Sequence, residues 1–213
     1  ESKMMNNFGI QIALKHMKIL TKKWAELEYP CFLEFRAIPH NGGPKIKRCI
    51  PTDEAQLLNC LEWAAAQNMS GDNIYYCVNP VLQSSVTTAG ATDKDIAAAF
   101  YCFVDADDEG RAERVLCEAP IPPDLEVITG NTPFKRAHYY WELEEPITNL
   151  DEWRTFQKQF ANVHNTDSVV VNPSRLMRLA GFWTNPHEKK KEKGYIPELV
   201  TLVQIGEEIS NDL

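Results

Sequence analysis

Apolar and polar positions in the first part of the chain follow two periodicities, and each predicts a different element. Residues 7–28 carry apolar side chains mostly at helical spacing, with lysines between them, which predicts an amphipathic opening helix. Residues 31–38 and 45–50 alternate as strands do, and the turn-forming residues 40–44 separate them. This part therefore predicts a helix followed by a β-hairpin.

The next part of the chain predicts a second helix and a single strand, followed by a long loop. Residues 53–68 follow Thr52, a helix-capping residue, and predict a second helix, and residues 73–80 are typical of a strand. Residues 83–94 are rich in Ser, Thr, Ala and Gly and predict a long loop. Loops of this length in compact domains are often functional or mobile.

A run of small, aromatic and β-branched residues, 97–104, ends abruptly in carboxylates. This pattern predicts a buried central strand that carries its C-terminal end to a site. Because side chains alternate along a strand, Asp105 and Asp107 share one side, roughly 7 Å apart. Two such acids favour Mg²⁺ or Mn²⁺ between them, since bare carboxylates in close contact raise each other's pKa. Turn formation alone also places Asp at strand ends, and that alternative stays open.

The residues after this run predict a helix at 109–118 and strands at 125–129 and 135–143. In the strand predicted at 135–143, alternation places two sets of side chains on opposite faces. The polar set is predicted to face a cleft and comprises Arg136, His138, Tyr140 and Glu142. The other set, predicted to be core, comprises Ala137, Tyr139, Trp141 and Leu143.

The C-terminal part predicts a helix over 151–163 and a closing strand over 199–205. Between them, Asn172 can cap a helix with Pro173 at its first position. Arg175 and Arg178 then share one face of that short helix. A basic span follows, with lysines at 189, 190, 191 and 193, and a solvated loop is the alternative for those lysines.

Composition sets the class of protein. The chain has 213 residues, 44% of them apolar, and a formal net charge of −8, which fits a globular protein and not one that coats nucleic acid non-specifically. A phosphate-binding role would therefore need a local basic patch. No run is long enough to cross a bilayer, no signal-peptide pattern is seen, and the six scattered cysteines suit reduced thiols, so we expect a cytoplasmic protein without a zinc site.

Several polar residues have no obvious role in a core. Arg36, Lys45 and Lys47 would make the hairpin basic, for contact with a template backbone or for solubility alone. The other histidines, His16, His40, His164 and His187, show no ligand spacing and are predicted to be surface residues. The remaining set comprises Asp105, Asp107, Arg136, His138, Asp167, Arg175 and Arg178. Three carboxylates with several cations are what two-metal phosphoryl transfer requires, since arginines can neutralise a triphosphate.

The order of these motifs resembles the archaeo-eukaryotic primase superfamily, in particular the RepB-type primase-polymerase domains of plasmids and phages. Phe103-Val104-Asp105-Ala106-Asp107 matches its first motif, and Thr129-Gly130 through His138 matches its second. Asp167 and the run from Asn172 to Gly181, ending at Thr184-Asn185, match its third. The resemblance covers roughly Ile74 to Lys190, and the three motifs in order are what makes it specific.

The resemblance implies a mixed α/β fold (α+β) with an RRM-like catalytic sheet. Residues 1–213 would form one domain, with an N-terminal α/β portion (1–95), a catalytic portion (96–213) and the cleft between them. It implies a DNA primase or polymerase that makes or extends primers in plasmid, phage or mobile-element replication. The implied partners are two Mg²⁺ or Mn²⁺ ions, nucleoside triphosphates and a single-stranded DNA template with primer. A helicase is a further expected partner, to which Glu207–Leu213 could lead through a linker.

Residue by residue, the resemblance implies Asp105, Asp107 and Asp167 as metal ligands. Implied nucleotide contacts are His138, Arg136, Arg175, Arg178, Thr129, Asn185 and Lys189. Arg136 replaces a serine common in the family, and Lys189 would substitute for a lysine missing after Asn185.

Each of these assignments has an open alternative. His138 can be a satisfied sheet histidine, Asp167 a turn cap, and Arg175 a surface partner of Glu188 or Glu192. For the whole chain, the alternatives are a catalytically silent DNA-binding replication module and a metal-dependent glycosyltransferase that uses the Asp-x-Asp pair.

Overall fold

Two antiparallel sheets pack against each other and against helices in a computed structural model that describes residues 2–206. The helices are α1 (Ser2–Leu20), α2 (Glu54–Met69), α3 (Arg111–Glu118), α4 (Leu150–Val163) and α5 (Glu188–Lys191). The strands are β1 (Cys31–Ile38), β2 (Lys45–Cys49), β3 (Asn73–Cys77), β4 (Val81–Leu82), β5 (Ala99–Ala106), β6 (Leu125–Gly130), β7 (Arg136–Ile147), β8 (Leu176–Arg178) and β9 (Thr201–Gln204). The helicase-linked extension predicted beyond Glu207 lies outside the described residues.

The first sheet has the order β2-β1-β3-β8, with β4 paired to the other end of β1. The predicted hairpin is confirmed, because β1 and β2 pair antiparallel with Phe35 opposite Lys47. The opening helix ends at Leu20, earlier than predicted, and a short 3-10 helix follows. The cap of α2 is Asp53 and not Thr52, since the Asp53 carboxylate accepts the backbone N–H of Gln56.

The second sheet has the order β5-β7-β6-β9 and is entirely antiparallel. Its strand–helix–strand–strand–helix succession, from β5 through α4, is that of RRM-like folds. Inner faces of both sheets and helix α1 contribute to one continuous apolar core. The predicted α/β fold class is confirmed.

Strand β5 is buried as predicted, but it lies at the edge of its sheet and not at the centre. Helix α4 covers that edge. The side-chain amide of Gln157, fully buried, donates to the carbonyl of Phe103 and accepts its N–H, and the Trp153 indole donates to Tyr101 O. These bonds satisfy backbone groups that a neighbouring strand would otherwise take.

The helix predicted after Asn172 is wrong. Leu176–Arg178 is strand β8, and it pairs antiparallel with β3, with Tyr75 opposite Arg178. The ladder with β3 satisfies backbone groups that a single helical turn would leave unpaired. Strand β8 belongs to the first sheet, although its residues come from the predicted catalytic portion, 96–213. Arg178 therefore lies in the sheet formed mainly by the predicted N-terminal portion, 1–95.

A buried chain of hydrogen bonds joins α1 to both sheets. Ala180 N–H donates to His16 Nδ1, His16 Nε2 lies 3.3 Å from the Tyr76 hydroxyl, and Tyr76 donates to the Tyr140 hydroxyl at 2.7 Å. The prediction that His16 is a surface residue is therefore wrong, because the side chain is fully buried. Tyr140, predicted to face the cleft, also lies in the core between the sheets.

The histidine predictions also fail at a second position. His164 is buried and stacks on Trp141, with ring centroids 4.9 Å apart. For His40 and His187 the surface prediction is confirmed, since both are exposed, and their rings stack on each other with centroids 4.2 Å apart. Sequence spacing could not separate these cases, because burial of a histidine depends on which elements pack over it.

Burial of His16 predicts acid sensitivity. Burial, aided by the charge of His138, lowers the His16 pKa to about 3. Because the folded pKa is below the unfolded one, this group stabilises the fold fully above pH 6.5 and progressively less as pH falls toward 3. We expect about 2 kcal/mol of His16-dependent loss between pH 7 and pH 5. Urea unfolding at both pH values should show it in the wild type and not in His16→Gln.

The control for that measurement is His40→Gln, which changes an exposed histidine and should keep the wild-type pH dependence. Equal pH dependence in wild type and His16→Gln would contradict the assignment.

The basic hairpin is largely neutralised within the fold. Arg36 and Arg48 both bind the buried carboxylate of Glu34, and Lys45 pairs with Asp72 at 2.9 Å. Of the three residues predicted to contact a template, only Lys47 forms no ion pair with the described part of the chain. The hairpin charges thus serve mainly to hold the N-terminal portion together.

Within residues 2–206, no helix is both long enough and apolar enough to span a membrane.

Candidate active site

A polar cleft of about 100 Å³ lies at the end of β5. Its walls come from the ends of β5, β6, β7 and β8 and from the segment after β8. The lining residues are Asp105, Asp107, Thr129, Arg136, His138, Arg178, Thr184, Pro186, Lys190, Tyr195 and Ile196. Residues from all three sequence motifs therefore meet in one place.

Asp105 and His138 are direct cross-strand partners in the β5–β7 ladder. His138 Nε2 lies 3.4 Å from Asp105 Oδ1, and the imidazole is only 5% exposed. Burial would raise the pKa of Asp105, but the charge and hydrogen bond of His138, with Arg175 and Arg178, outweigh it and hold that pKa below its ordinary value. Asp105 is therefore ionised in the cleft at neutral pH.

His138 Nδ1 is buried and has no hydrogen-bond partner among the described residues. A buried ring nitrogen without a partner is costly, and an incoming group can satisfy it. His138 is thus not the satisfied sheet histidine that was the alternative.

Asp107 follows β5 and lines the same cleft as Asp105. Desolvation and the negative charges of Asp105, Asp108 and Asp167 raise its pKa. Carboxylates that oppose one another's ionisation gain from a cation between them, so the donor set at Asp105 and Asp107 fits a hard divalent ion.

Asp167 does not form a metal site with Asp105 and Asp107 in this structure. Its side chain is exposed, and its carboxylate accepts the N–H of Val169 at 3.0 Å, as a turn cap does. Its charge still acts on Asp107. In the part of the chain that the structure describes, no three His, Cys, Asp or Glu side chains form a group that could hold a metal. The role of Asp167 stays a prediction.

Arg178 lines the cleft, and its guanidinium is fixed in two ways. Nη1 donates to Asn73 Oδ1 at 2.7 Å, and the guanidinium carbon lies 4.9 Å from the centre of the Tyr75 ring. Its positive charge acts on Asp105 across the cleft. Arg178 therefore faces the acids as a held but unneutralised cation.

Arg175, just before β8, also acts on Asp105, and its Nε is buried without a partner among residues 2–206. Arg175 forms no ion pair with Glu188 or Glu192, which was the alternative. Glu188 pairs instead with Lys191, and Glu192 donates its backbone N–H to the Glu188 carbonyl.

Arg136 is tied into the turn between β6 and β7. Its Nη1 donates to the carbonyls of Thr132 and Phe134, and its Nη2 lies 3.3 Å from Glu198. The guanidinium also covers the Tyr195 ring at 4.3 Å. Arg136 reaches the cleft wall, but most of its hydrogen-bonding capacity is used inside the protein. A phosphate contact at Arg136 stays a prediction.

Of the remaining residues predicted to contact the nucleotide, Thr129 lines the cleft, whereas Asn185 and Lys189 do not. Thr129 is buried in the cleft wall, and its contact with a nucleotide stays a prediction. Asn185 contributes its backbone, which bonds to Asn73 and His40, and its neighbours Thr184 and Pro186 line the cleft. Lys189 is exposed on α5 and does not line it, whereas Lys190 does.

Comparison with solved structures identifies the fold. The archaeo-eukaryotic primase domain of the cyanophage S-2L primase-polymerase matches with a TM-score of 0.59 at 21% identity, over 91% of this chain and 89% of that chain. The chain has the archaeo-eukaryotic primase fold. The resemblance inferred from the three motifs is thus confirmed for the fold.

Two further structures share this primase fold. Primase RepB′ matches with a TM-score of 0.58 at 15% identity, over 90% of this chain but 56% of that chain. The catalytic domain of primase RepB′ in complex with initiator DNA matches at 0.54 and 16% identity, over 88% and 84% of the two chains. No family model and no curated protein matches the sequence.

Sequence reasoning missed two residues of this primase-fold cleft. Lys190 and Tyr195 line it, with Lys190 Nζ 5.2 Å from the centre of the Tyr195 ring. Lys190 lies in a run of lysines with no periodicity that singles it out. An aromatic ring that two cations approach, Arg136 and Lys190, is a signal that only the folded chain presents.

Proposed function

We propose that this protein is a DNA primase or polymerase, which transfers nucleotides in a template-directed, metal-dependent reaction to make or extend primers. The observation that carries the proposal is the cleft, in which Asp105 and Asp107 face His138, Arg178 and Lys190. Acids and cations that line one polar cleft suit the phosphates of a nucleoside triphosphate with their metal, because the ligand brings both charges. The primase fold of the chain supports this proposal.

In this proposal Asp105 and Asp107, with Asp167, hold two Mg²⁺ or Mn²⁺ ions. When bound, such ions neutralise phosphate charge and favour in-line displacement. Asp105 is suited to this role because its depressed pKa keeps it ionised. Asp107, whose ionisation is opposed by its neighbours, gains most from a cation. Asp167 would have to give up its bond to Val169 N–H to join them.

The cations of the cleft bind and orient the triphosphate. Arg178 offers the guanidinium N–H groups that Asn73 does not use, and Lys190 and Arg175 add positive charge. His138 donates to a phosphate oxygen while Asp105 holds its ring. A hydroxyl oxygen of the primer, or of a first nucleotide, bonds to the α-phosphorus, the bond to the β-phosphate oxygen breaks, pyrophosphate leaves, and the hydroxyl proton passes to solvent.

The proposed partner is single-stranded DNA with a primer. One of the structures that share the fold is the catalytic domain of primase RepB′ in complex with initiator DNA. The formal net charge of −8 limits non-specific attraction, so we propose that DNA is held locally, near the cations of the cleft. A replication helicase and a cytoplasmic setting complete the proposal.

The test is direct synthesis. Purified protein is incubated with single-stranded DNA, with and without a primer, labelled nucleotides and Mn²⁺, and the products are sized. We expect template-dependent products with Mn²⁺ and none with chelator. Absence of any template-dependent product under these conditions would refute the proposal.

A silent DNA-binding module is favoured by one observation, the placement of Asp167 outside a closed metal site. Calorimetry with a nucleoside triphosphate separates the two functions. A polymerase should bind the nucleotide at least about tenfold more tightly with Mn²⁺, since metal and phosphate share the site. In a silent module, nucleotide binding need not depend on the metal.

A glycosyltransferase would need only the two acids, and that function leaves Arg178 and His138 without a role.

A further inference from the structure

Asn73 is a buried amide beside the proposed nucleotide site and belongs to none of the motifs. It is the first residue of β3 and is 5% exposed. Its Oδ1 accepts two hydrogen bonds, from Arg178 Nη1 at 2.7 Å and from the N–H of Asn185 at 2.8 Å. Its Nδ2 donates to the carbonyl of Asn185 at 3.0 Å. One side chain thus joins strand β3, the cleft arginine and the segment after β8.

These bonds act on two walls of the cleft. Arg178 forms one wall, and Thr184 and Pro186, on either side of Asn185, contribute to another. His40 also bonds the Asn185 carbonyl, at 2.8 Å, so that segment has a second support. Among residues 2–206, Arg178 is held by two side chains, through a hydrogen bond to Asn73 and a contact with the ring of Tyr75. Loss of Asn73 would therefore affect the arginine more than the segment.

The chemistry of the amide explains why asparagine suits this position. An amide accepts from a cation without neutralising it and donates through its nitrogen at the same time. Aspartate would form an ion pair with Arg178 and could not donate a hydrogen bond to the Asn185 carbonyl. A side chain with no acceptor would leave the guanidinium free to rotate. A neutral group that both accepts and donates holds Arg178 without offsetting its positive charge.

We propose that Asn73 is a positioning residue for nucleotide binding, which acts through Arg178 by holding the guanidinium toward the triphosphate. The inference rests on the proposed function of the cleft and deepens it. Asn73 itself touches no nucleotide. Its contribution is to the affinity for nucleotide, because an arginine already in place loses less conformational freedom on binding.

A double-mutant cycle tests the route through Arg178. The proteins are wild type, Asn73→Ala, Arg178→Ala and the double variant, and the KM for nucleotide is measured in primer extension. We expect Asn73→Ala to raise KM about tenfold, with kcat changed less than about twofold, as for a hydrogen bond to a charged group. In the Arg178→Ala background the same substitution should change KM less than about twofold.

Asn68→Ala is the matched control. Asn68 is a similar amide clamp on the same segment, since it accepts from Trp183 N at 2.9 Å and donates to Trp183 O at 2.8 Å. It makes no contact with Arg178. We expect Asn68→Ala to lower thermal stability as Asn73→Ala does while leaving the nucleotide KM unchanged.

Several outcomes would overturn the inference. They are an unchanged KM in Asn73→Ala, an equal rise in Asn68→Ala, and a full tenfold effect of Asn73→Ala in the Arg178→Ala background. Nucleotide Kd from calorimetry with Mn²⁺, on the same five proteins, gives a readout that needs no turnover. If wild type binds nucleotide with the expected dependence on Asn73 but synthesises nothing, the inference stands and the proposed function fails. If synthesis is normal and Arg178→Ala leaves KM unchanged, only the inference fails.

Discussion

Asp105→Asn should lower nucleotide incorporation on a primed template about 10³-fold, which corresponds to about 4 kcal/mol of transition-state stabilisation. The substitution keeps the size of the side chain but removes the negative charge opposite His138 and Arg178. The amide oxygen can still approach a hard divalent ion, but it carries no negative charge and binds the ion more weakly than an ionised carboxylate does. The measurement is the steady-state rate with Mn²⁺ and saturating nucleotide, beside a thermal unfolding curve that checks the fold.

Asp108→Asn is the control for this change. Asp108 is an exposed carboxylate three residues along the chain and does not line the cleft. The same chemical substitution there should change the rate less than about twofold. Synthesis retained by Asp105→Asn would remove the central acid from the mechanism. Equal losses in the two variants would mean that net charge, and not the position of Asp105, is what matters.

Glu34→Ala should destabilise the fold by about 3–5 kcal/mol, the usual cost of removing one partner from a buried ionic group. Glu34 is fully buried, and its two oxygens bind Arg36 and Arg48 at 2.8 and 2.7 Å. It also accepts the N–H of Ala91. Without Glu34, two partly buried guanidinium groups lose their counter-charge. Urea unfolding at pH 7 measures the loss.

The same triad anchors the loop before β5, and that gives a second readout. Arg48 donates to the carbonyls of Thr87 and Ala89, and Arg36 donates to Ala91 O. Limited proteolysis should therefore cut Glu34→Ala within residues 83–94 much faster than wild type. Glu54→Gln is the control, because its ion pair with Lys18 is exposed and should contribute less than about 1 kcal/mol. A loss for Glu34→Ala no larger than for the control would show that the triad does not hold this portion together.

The loop is linked to the site by Asp93, at its end. The Asp93 carboxylate accepts the N–H and hydroxyl of Ser174 and pairs with Arg154 at 2.6 Å. Ser174 precedes Arg175. We therefore expect loss of the Glu34 anchor to weaken nucleotide binding as well as stability, since the support beneath the cleft arginines loosens with the loop.

Local patterns were sufficient for much of the fold and for part of the site. The hairpin of β1 and β2 follows from alternation and turn residues, and the burial of β5 from its apolar run. The spacing of Asp105 and Asp107 predicts that they share a side, and alternation in β7 predicts that His138 faces the cleft. These features depend on neighbours a few residues apart, so the order of residues suffices for them.

Other features depend on partners far away in the chain. Asn172-Pro173 predicts a helix locally, but β8 gains a complete ladder from β3, about a hundred residues earlier. The lysine that reaches the cleft is Lys190 and not Lys189, because α5 turns that side chain toward Tyr195. His16 and Tyr140 look like surface polar residues until two sheets and a helix close over them.

By itself, the sequence determined strands such as β1, β2, β5 and β7, the carboxylate pair and the histidine opposite it, because period and spacing are local properties. Only the tertiary structure decided which cations remain free to meet a ligand. Arg136 is used by Glu198 and nearby carbonyls, whereas Arg178 keeps its charge beside a neutral amide. The physical reason is that the charge a side chain presents depends on its partners in space, and those partners come from segments whose pairing no local pattern records.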